Sequence, residues 1–288
     1  MTDLAPRDVQ VPLADGRTIA CTEVGDPDGR PIISCHGGLS SRLDIVPSAE
    51  AATRLGVRVI SPDRPGIGGS TRQPGRTLLD WPGDVAAVAD HLGIDRFAVM
   101  GWSLGGIYAA ACAHALSDRV TVAGLVASSI PADWPGMHEE LNRMDRVMLD
   151  LSGKAAPLDR TIFSLMRSAA HHAPKAFAKS SGVDATMGAG DLAESLPAAV
   201  AEGLADTKGV VDDYRVFGAP WGFRPEDIGV EVHLWQGDAD ELVPPAWAER
   251  LAEAIPGSTL HPVAGASHFL WYDHWDEIFT TLAPASSD

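Results

Sequence analysis

The sequence predicts an α/β fold in which a mostly parallel central sheet is flanked by helices. Three observations predict it. Short apolar runs alternate with segments of helical spacing, the apolar runs lack strict polar alternation, and one long stretch without a convincing strand interrupts the rhythm. Consecutive apolar positions are typical of strands that helices cover on both faces, as in a parallel sheet.

The first half of the chain alternates strands and helices. Residues 9–13 and 17–24 predict a hairpin, because the Asp15-Gly16 pair between them is a common turn. Apolar runs then predict strands at 31–35, 57–61, 97–102 and 120–127, and helical spacing predicts helices at 49–55, 78–92 and 104–116. This alternation is the order that parallel strands with crossover helices require.

The middle of the chain breaks the alternation. No convincing strand is predicted from residue 131 to residue 225, where alanine, methionine, leucine and charged residues are frequent. Strands at 230–235 and 259–263 and helices at 247–255 and 269–282 then restore the earlier rhythm. We therefore expect one α/β core formed by residues 1–130 and 226–288, with residues 131–225 inserted into it as a helical cap.

One apolar helical face is predicted within this insertion. Leu141, Met144, Met148 and Leu151 recur every three or four residues, which places them on the same side of a helix. Because methionine adapts to irregular apolar ligands, Met144 and Met148 are candidates for lining a substrate pocket. The favoured alternative is that this face packs the insertion against the core.

Composition excludes several classes of function. The 22 basic and 39 acidic residues give a net charge of −17, which repels nucleic acids and anionic lipids. The sequence lacks a signal-peptide pattern at its start, and it lacks a run of about 18 apolar residues that would predict a membrane span. Three scattered cysteines indicate neither a disulfide framework nor a zinc site. We expect a cytoplasmic protein that acts on a small molecule, without nucleic-acid or membrane partners.

A candidate nucleophile follows the predicted strand at 97–102. Residues 101–105 read Gly-Trp-Ser-Leu-Gly and match the pattern Gly-x-Ser-x-Gly, in which a serine sits on a sharp strand-to-helix turn. The glycines are needed because this turn brings the backbone close to neighbouring chain, where a Cβ atom would clash. Ser103 is therefore predicted as the nucleophile, and an ordinary helix N-cap is the weaker interpretation.

Acyl transfer at such a serine needs two backbone N–H groups that bind an oxyanion. Leu104, the residue after the serine, is predicted to supply one, and the loop after the strand at 31–35 supplies the other. That loop reads His-Gly-Gly at residues 36–38, where Gly38 is the first choice of donor and Gly37 the second. His36 lies at the strand end, and a hydrogen bond that braces the loop is favoured over a catalytic role.

The base and the acid are predicted in the last two connections that follow strands. His268 follows the strand at 259–263, at the sheet edge where ligands bind in α/β folds. Asp238, Asp240 and Glu241 follow the strand at 230–235, and a carboxylate there can orient a histidine. Spacing alone does not choose among the three acids. The order serine, acid, histidine agrees with the order expected for this kind of triad.

These motifs together resemble those of the α/β-hydrolase superfamily, in particular its serine-nucleophile branch with a helical cap. The matching segments are His-Gly-Gly at 36–38, Asp-Arg-Pro-Gly-Ile-Gly-Gly-Ser at 63–70, Gly-Trp-Ser-Leu-Gly-Gly at 101–106, Gly-Asp-Ala-Asp-Glu-Leu-Val-Pro at 237–244 and Gly-Ala-Ser-His-Phe at 265–269. They span almost the whole chain in the family's order. The resemblance implies that Asp240 is the acid of the triad and that Asp63 and Arg64 brace the site.

Two departures narrow the resemblance. Proline iminopeptidases continue the His-Gly-Gly loop with Pro-Gly, where this chain has Leu39-Ser40. Haloalkane dehalogenases and epoxide hydrolases use an aspartate nucleophile, where this chain has Ser103. Both activities are therefore disfavoured.

The predicted function is hydrolysis of a small to medium hydrophobic ester, lactone or thioester, with neither metal nor organic cofactor. Ser103, Asp240 and His268 would form the triad. Candidate substrate contacts are Trp102, Leu39, Met144 and Met148, although Trp102 could equally pack under the turn. Three alternatives stay open: a cofactor-free haloperoxidase or perhydrolase, a carbon–carbon bond hydrolase with the same triad, and a non-hydrolytic small-molecule receptor.

Overall fold

An eight-stranded sheet organises the part of the chain that the computed structural model describes, residues 5–152, 156–181 and 192–285. The strands are β1 (Arg7–Pro12), β2 (Thr18–Gly25), β3 (Arg30–Cys35), β4 (Val57–Pro62), β5 (Phe97–Trp102), β6 (Val120–Val126), β7 (Val232–Gly237) and β8 (Thr259–Val263). Their order across the sheet is β1-β2-β4-β3-β5-β6-β7-β8. The hairpin of β1 and β2 and the pairing of β2 with β4 are antiparallel, and the other pairings are parallel. The predicted, mostly parallel sheet is confirmed.

Helices flank the sheet and bury its central strands. They are α1 (Ala49–Arg54), α2 (Trp81–His91), α3 (Gly105–Ala115), α10 (Pro245–Ala254) and α11 (Trp275–Leu282). Every residue of β5 is buried, which explains why its sequence shows no polar alternation. Residues 105–113 of α3 are also buried. Their mostly small side chains let the helix contact β3, β5 and β6 together.

Two predicted helices begin with a separate 3₁₀ turn. Leu78–Asp80 precedes α2, and Leu270–Asp273 precedes α11. At the first of these turns, the Thr77 N–H and hydroxyl both donate to Asp80 Oδ2, at 2.7 and 2.8 Å. Such a capping box satisfies backbone donors at a helix start, so the change of helix type carries little cost.

The chain between β6 and β7 forms helices in its described residues. They are α4 (Met137–Glu140), α5 (Arg143–Leu151), α6 (Ala156–His172), α7 (Pro174–Ser180), α8 (Leu192–Gly203) and α9 (Thr207–Phe217). We call residues 131–225 the helical insertion. A Cβ atom at Gly203 of α8 would overlap the Ser40 carbonyl, and one at Gly209 of α9 would overlap the Gly66 carbonyl. The insertion therefore touches the loops that follow β3 and β4, at the carboxyl ends of the parallel strands.

The prediction that one apolar helical face runs from Leu141 to Leu151 is wrong in its extent. Leu141 lies between α4 and α5, and Asn142 caps the start of α5 by accepting a hydrogen bond from the Asp145 N–H at 3.0 Å. Met148 is buried, whereas the Met144 side chain is 44% exposed. Because α5 begins only after this cap, Leu141 lies outside the helix, and the four residues do not form one continuous helical face.

The three cysteines are free and buried. None of the helices in the described residues is long and apolar enough to span a bilayer. Within the same residues, no group of three or more histidine, cysteine, aspartate or glutamate side chains is arranged to hold a metal ion.

Candidate active site

Ser103 occupies a sharp turn between β5 and α3. Its φ of +55° lies in the left-handed region that residues other than glycine rarely adopt. The Ser103 N–H donates to the Val126 carbonyl at 2.8 Å, and the Ser103 carbonyl accepts from the Gly106 N–H at 3.0 Å. In the described chain, the other such residues are Leu39 and Ala127, which follow β3 and β6. Strain of this kind clusters at functional sites, here along one edge of the sheet.

The glycines around Ser103 are required by close backbone contacts. A Cβ atom at Gly101 would overlap the carbonyl of Gly105, and one at Gly105 would overlap the carbonyls at the end of β3. A Cβ atom at Gly106 would overlap the Ser128 side chain. The prediction that side chains would clash in this turn is confirmed.

Asp240 and His268 form a buried pair beside this turn. His268 Nδ1 lies 2.9 Å from Asp240 Oδ2, and the two side chains are 7% and 0% exposed. The Leu242 and Val243 N–H groups donate to Asp240 Oδ1 at 2.8 and 2.9 Å, and Gln236 Nε2 donates to Asp240 Oδ2 at 3.1 Å. The carboxylate is thus fixed by backbone and side-chain donors, and it can orient the imidazole.

The same geometry distinguishes the three candidate acids. Asp238 and Glu241 are exposed, and Asp238 accepts a hydrogen bond from the Gly265 N–H at 2.7 Å. Burial acts to raise the pKa of Asp240, but the hydrogen bond and charge of His268 outweigh it, so the pKa lies below its usual value. Asp240 is therefore held as a carboxylate in contact with the imidazole.

Trp102 holds the His268 loop against the turn that carries Ser103. Its indole Nε1 donates to the His268 carbonyl at 2.9 Å, and the two rings lie 5.3 Å apart between centroids. Trp102 also stacks on Trp271 at 5.0 Å and is 3% exposed. These contacts are those of packing under the turn, and a contact of Trp102 with substrate stays a prediction.

The predicted nucleophile, Ser103, and the predicted base, His268, are not in direct hydrogen-bond contact. In the described residues no hydrogen bond joins the Ser103 hydroxyl to the His268 imidazole. Catalytic hydrogen bonds are often long in unliganded enzymes and tighten when substrate binds. The turn and the Trp102 contacts bring Ser103 and His268 to the same edge of the sheet.

The two backbone segments predicted for the oxyanion hole meet. A Cβ atom placed on Gly38 would lie 3.3 Å from Leu104 Cβ. Leu104 immediately precedes α3, where N–H groups lack partners within the helix. The Gly37 N–H donates to Asp44 Oδ2 at 3.0 Å, so it is engaged. Of the two glycines considered, Gly38 is the one whose geometry suits the role.

His36 and Arg64 brace this loop. His36 Nε2 accepts a hydrogen bond from the Arg64 N–H at 3.2 Å, so its proton is on Nδ1, which donates to the Gly37 carbonyl at 3.0 Å. Burial, aided by the nearby Arg64 charge, holds the pKa of His36 well below its usual value. A neutral imidazole with both nitrogens engaged is not available as a base, in agreement with the predicted bracing role.

The sequence did not predict two acidic residues that contact Arg64 or the loop of residues 36–38. Asp213 of α9 accepts from Arg64 Nε at 2.9 Å across 149 residues of chain. Asp44 contacts the Gly37 N–H from the 3₁₀ helix Arg42–Ser48. No motif marks either acid. The weak signal that existed is an acidic pair at residues 212–213 on an otherwise amphipathic helix.

Comparisons with known proteins agree with this architecture. The model of the alpha/beta hydrolase family matches residues 32–281. Pimeloyl-[acyl-carrier protein] methyl ester esterase of Sodalis glossinidius is 32% identical over 125 residues, which cover 42% of this chain and 45% of that protein. The match thus spans less than half of that esterase.

Two further similarities cover nearly the whole chain. Haloalkane dehalogenase 2 of Mycobacterium tuberculosis is 28% identical over 269 residues, 90% of this chain and 88% of that protein. The crystal structure of bromoperoxidase from Bacillus anthracis has a TM-score of 0.73 at 21% identity and covers 96% of this chain and 99% of that one. With the family match extending from β3 to α11, the chain belongs to the alpha/beta hydrolase family.

Proposed function

We propose that this protein is a serine hydrolase that cleaves a small to medium hydrophobic carboxylic ester, lactone or thioester through an acyl-enzyme. The observation that carries the proposal is the buried pair of His268 Nδ1 and Asp240 Oδ2, 2.9 Å apart, beside the strained turn of Ser103. An ordinary helix N-cap would need neither the strain nor the pair.

In the first half of the reaction, Ser103 Oγ attacks the substrate carbonyl carbon and its proton passes to His268 Nε2. Since Nδ1 donates to Asp240, Nε2 is the nitrogen free to accept this proton. Asp240 stabilises the imidazolium that results. Collapse of the tetrahedral intermediate breaks the ester bond, and the leaving alcohol takes the proton from His268. The product of this half-reaction is an ester of Ser103.

In the second half, water attacks the acyl carbon and gives its proton to His268. Collapse breaks the bond to Ser103 Oγ, which recovers the proton, and the carboxylic acid leaves. In both halves the negative charge forms on the former carbonyl oxygen. The Gly38 and Leu104 N–H groups are the donors that would stabilise it.

The hydroxyl of Ser103 favours the proposal over the activity of the haloalkane dehalogenase to which the chain is similar. Displacement of halide from an alkyl carbon suits a carboxylate nucleophile, which forms an ester that water can cleave at its carbonyl. A serine would form a stable ether instead. Ser103 therefore supports acyl transfer, which the similarity to a methyl ester esterase also supports.

The helical insertion completes the proposal as a cap over the site. Its contacts with the loops after β3 and β4 support this role. We place the reaction in the cytoplasm as part of the same proposal.

The test is hydrolysis of p-nitrophenyl esters of increasing acyl length by wild type, Ser103→Ala and Ser117→Ala. Ser117 is an exposed serine just after α3 and serves as the matched control. We expect turnover by wild type and Ser117→Ala, and a loss of roughly 10⁴-fold or more in kcat for Ser103→Ala. Absence of turnover with every ester, or equal turnover by Ser103→Ala, would refute the proposal.

A further inference from the structure

The loop that offers Gly38 is held at three other polar backbone atoms, the Gly37 N–H and the carbonyls of His36 and Gly37. The peptide between His36 and Gly37 donates its N–H to Asp44 Oδ2 at 3.0 Å, and its carbonyl accepts from Arg64 Nη1. In the next peptide, the Gly37 carbonyl accepts from Arg64 Nη2 at 2.9 Å. A trans peptide points its N–H opposite to its carbonyl. Arg64 therefore sets the direction in which the Gly38 N–H points.

Arg64 is in turn held by an acid of the helical insertion. Its Nε donates to Asp213 Oδ2 at 2.9 Å, and its guanidinium lies 4.6 Å above the Tyr108 ring. Arg76 binds the other oxygen of the same carboxylate. Arg64 is fully buried and Asp213 is 2% exposed. In such surroundings an unpaired charge is costly, so the position of Arg64 depends on Asp213.

We propose that Asp213 is a positioning residue for the oxyanion hole. Through Arg64 it orients the peptide between Gly37 and Gly38, so seating of α9 on the core and formation of the hole are coupled. The inference rests on the proposed function, in which the oxyanion hole stabilises the tetrahedral intermediate of acyl transfer. It goes further by assigning a catalytic consequence to a residue of the insertion that acts through Arg64.

The neighbouring residue Asp212 provides a matched control. It lies on the same helix and is also buried, and it binds the core through Arg72 at 2.6 and 3.1 Å. Arg72 donates no described hydrogen bond to the loop of residues 36–38. Loss of Asp212 removes an anchor of α9 but leaves the clamp on that loop in place.

The first measurement compares wild type, Asp213→Asn and Asp212→Asn by hydrogen exchange of the amides at residues 36–39, together with kcat and KM on a p-nitrophenyl ester. For Asp213→Asn we expect faster exchange in this loop and a fall in kcat of about 100-fold, with KM changed less than about threefold. For Asp212→Asn we expect loop exchange and kcat close to wild type. A boronic acid, which forms a tetrahedral adduct with serine, should lose affinity in Asp213→Asn but not in Asp212→Asn.

A second variant tests the same inference if Asp213→Asn does not fold. Arg64→Lys keeps the charge opposite Asp213 but cannot donate to both carbonyls and the carboxylate in one plane. It should show the same loop exchange and the same loss of kcat. Unchanged loop exchange in the folded variant, or equal kcat losses in Asp213→Asn and Asp212→Asn, would overturn the inference. Failure of the proposed function would appear separately, as undiminished turnover in Ser103→Ala.

Discussion

The carboxyl groups of the core loops around the site and those with which the helical insertion meets the core are held in different ways. In the core, backbone N–H groups donate to three of them, Asp44, Asp63 and Asp240, and the Arg42 side chain also donates to Asp63. In the insertion, arginine side chains of the core donate to three others: Glu202, Asp212 and Asp213. Backbone donors fix where a carboxylate points, whereas a guanidinium also compensates its charge.

The pKa values of Asp44 and Asp63 differ in direction from that of Asp213. Burial raises the pKa of Asp44 to about 7 and that of Asp63 to about 6 in the core. Burial acts on Asp213 in the same direction, but the charges of Arg64 and Arg76 outweigh it and hold its pKa below the usual range. The core thus uses carboxyls to orient loops at the site, and the insertion uses them to attach itself to the core.

The largest effect is expected where a core carboxylate orients the base. In Asp240→Asn the amide can no longer hold His268 in the required tautomer, so kcat should fall roughly 10³- to 10⁴-fold. Asp238→Asn, on the same loop but exposed, is the control and should keep its kcat within about twofold. Ester hydrolysis measures both. Equal activities in the two variants would contradict the role of Asp240.

A smaller effect, on stability, tests the burial of the Asp44 carboxyl, which forms no salt bridge with the described residues. Its folded pKa is about 7, above its unfolded value of about 3.9, so it adds stability at low pH that is lost as pH rises from about 4 to about 7. Asp44→Asn keeps an acceptor for the Gly37 N–H and removes this titration. The free energy of unfolding in urea should rise for the variant relative to wild type by roughly a few kcal/mol between pH 4 and pH 8. Parallel pH profiles would contradict this account.

The smallest effect is expected at the more exposed edge of the insertion. Arg42 Nη1 binds Glu202 at 2.5 Å and Asp63 at 2.8 Å, and the Glu202 side chain is 26% exposed. Because Asp63 still pairs with Arg42, Glu202→Gln should lower the free energy of unfolding by only about 0.5–1 kcal/mol. The difference should shrink in 1 M salt, where the Debye length is about 3 Å. A loss of several kcal/mol would contradict the small contribution expected of this partly exposed ion pair.

The same contrast explains what could be predicted from the sequence. The core elements and the positions of Ser103 and His268 after β5 and β8 follow from apolar runs and short motifs, and the choice of Asp240 after β7 follows from the family resemblance. The pairing of Arg64 with Asp213 does not, because 149 residues separate them and many acids could serve. The break at Asn142 was missed because periodicity does not register a cap. Contacts between the insertion and the core thus lie beyond what local pattern encodes.

The most direct test of the central claim is covalent labelling with a fluorophosphonate followed by peptide mass spectrometry. An activated serine displaces fluoride and retains the phosphonyl group. We predict a single adduct, on Ser103, in wild type, and labelling slowed by orders of magnitude in His268→Ala. An unlabelled protein, or an adduct on another serine, would contradict the assignment of Ser103 as a nucleophile activated by His268.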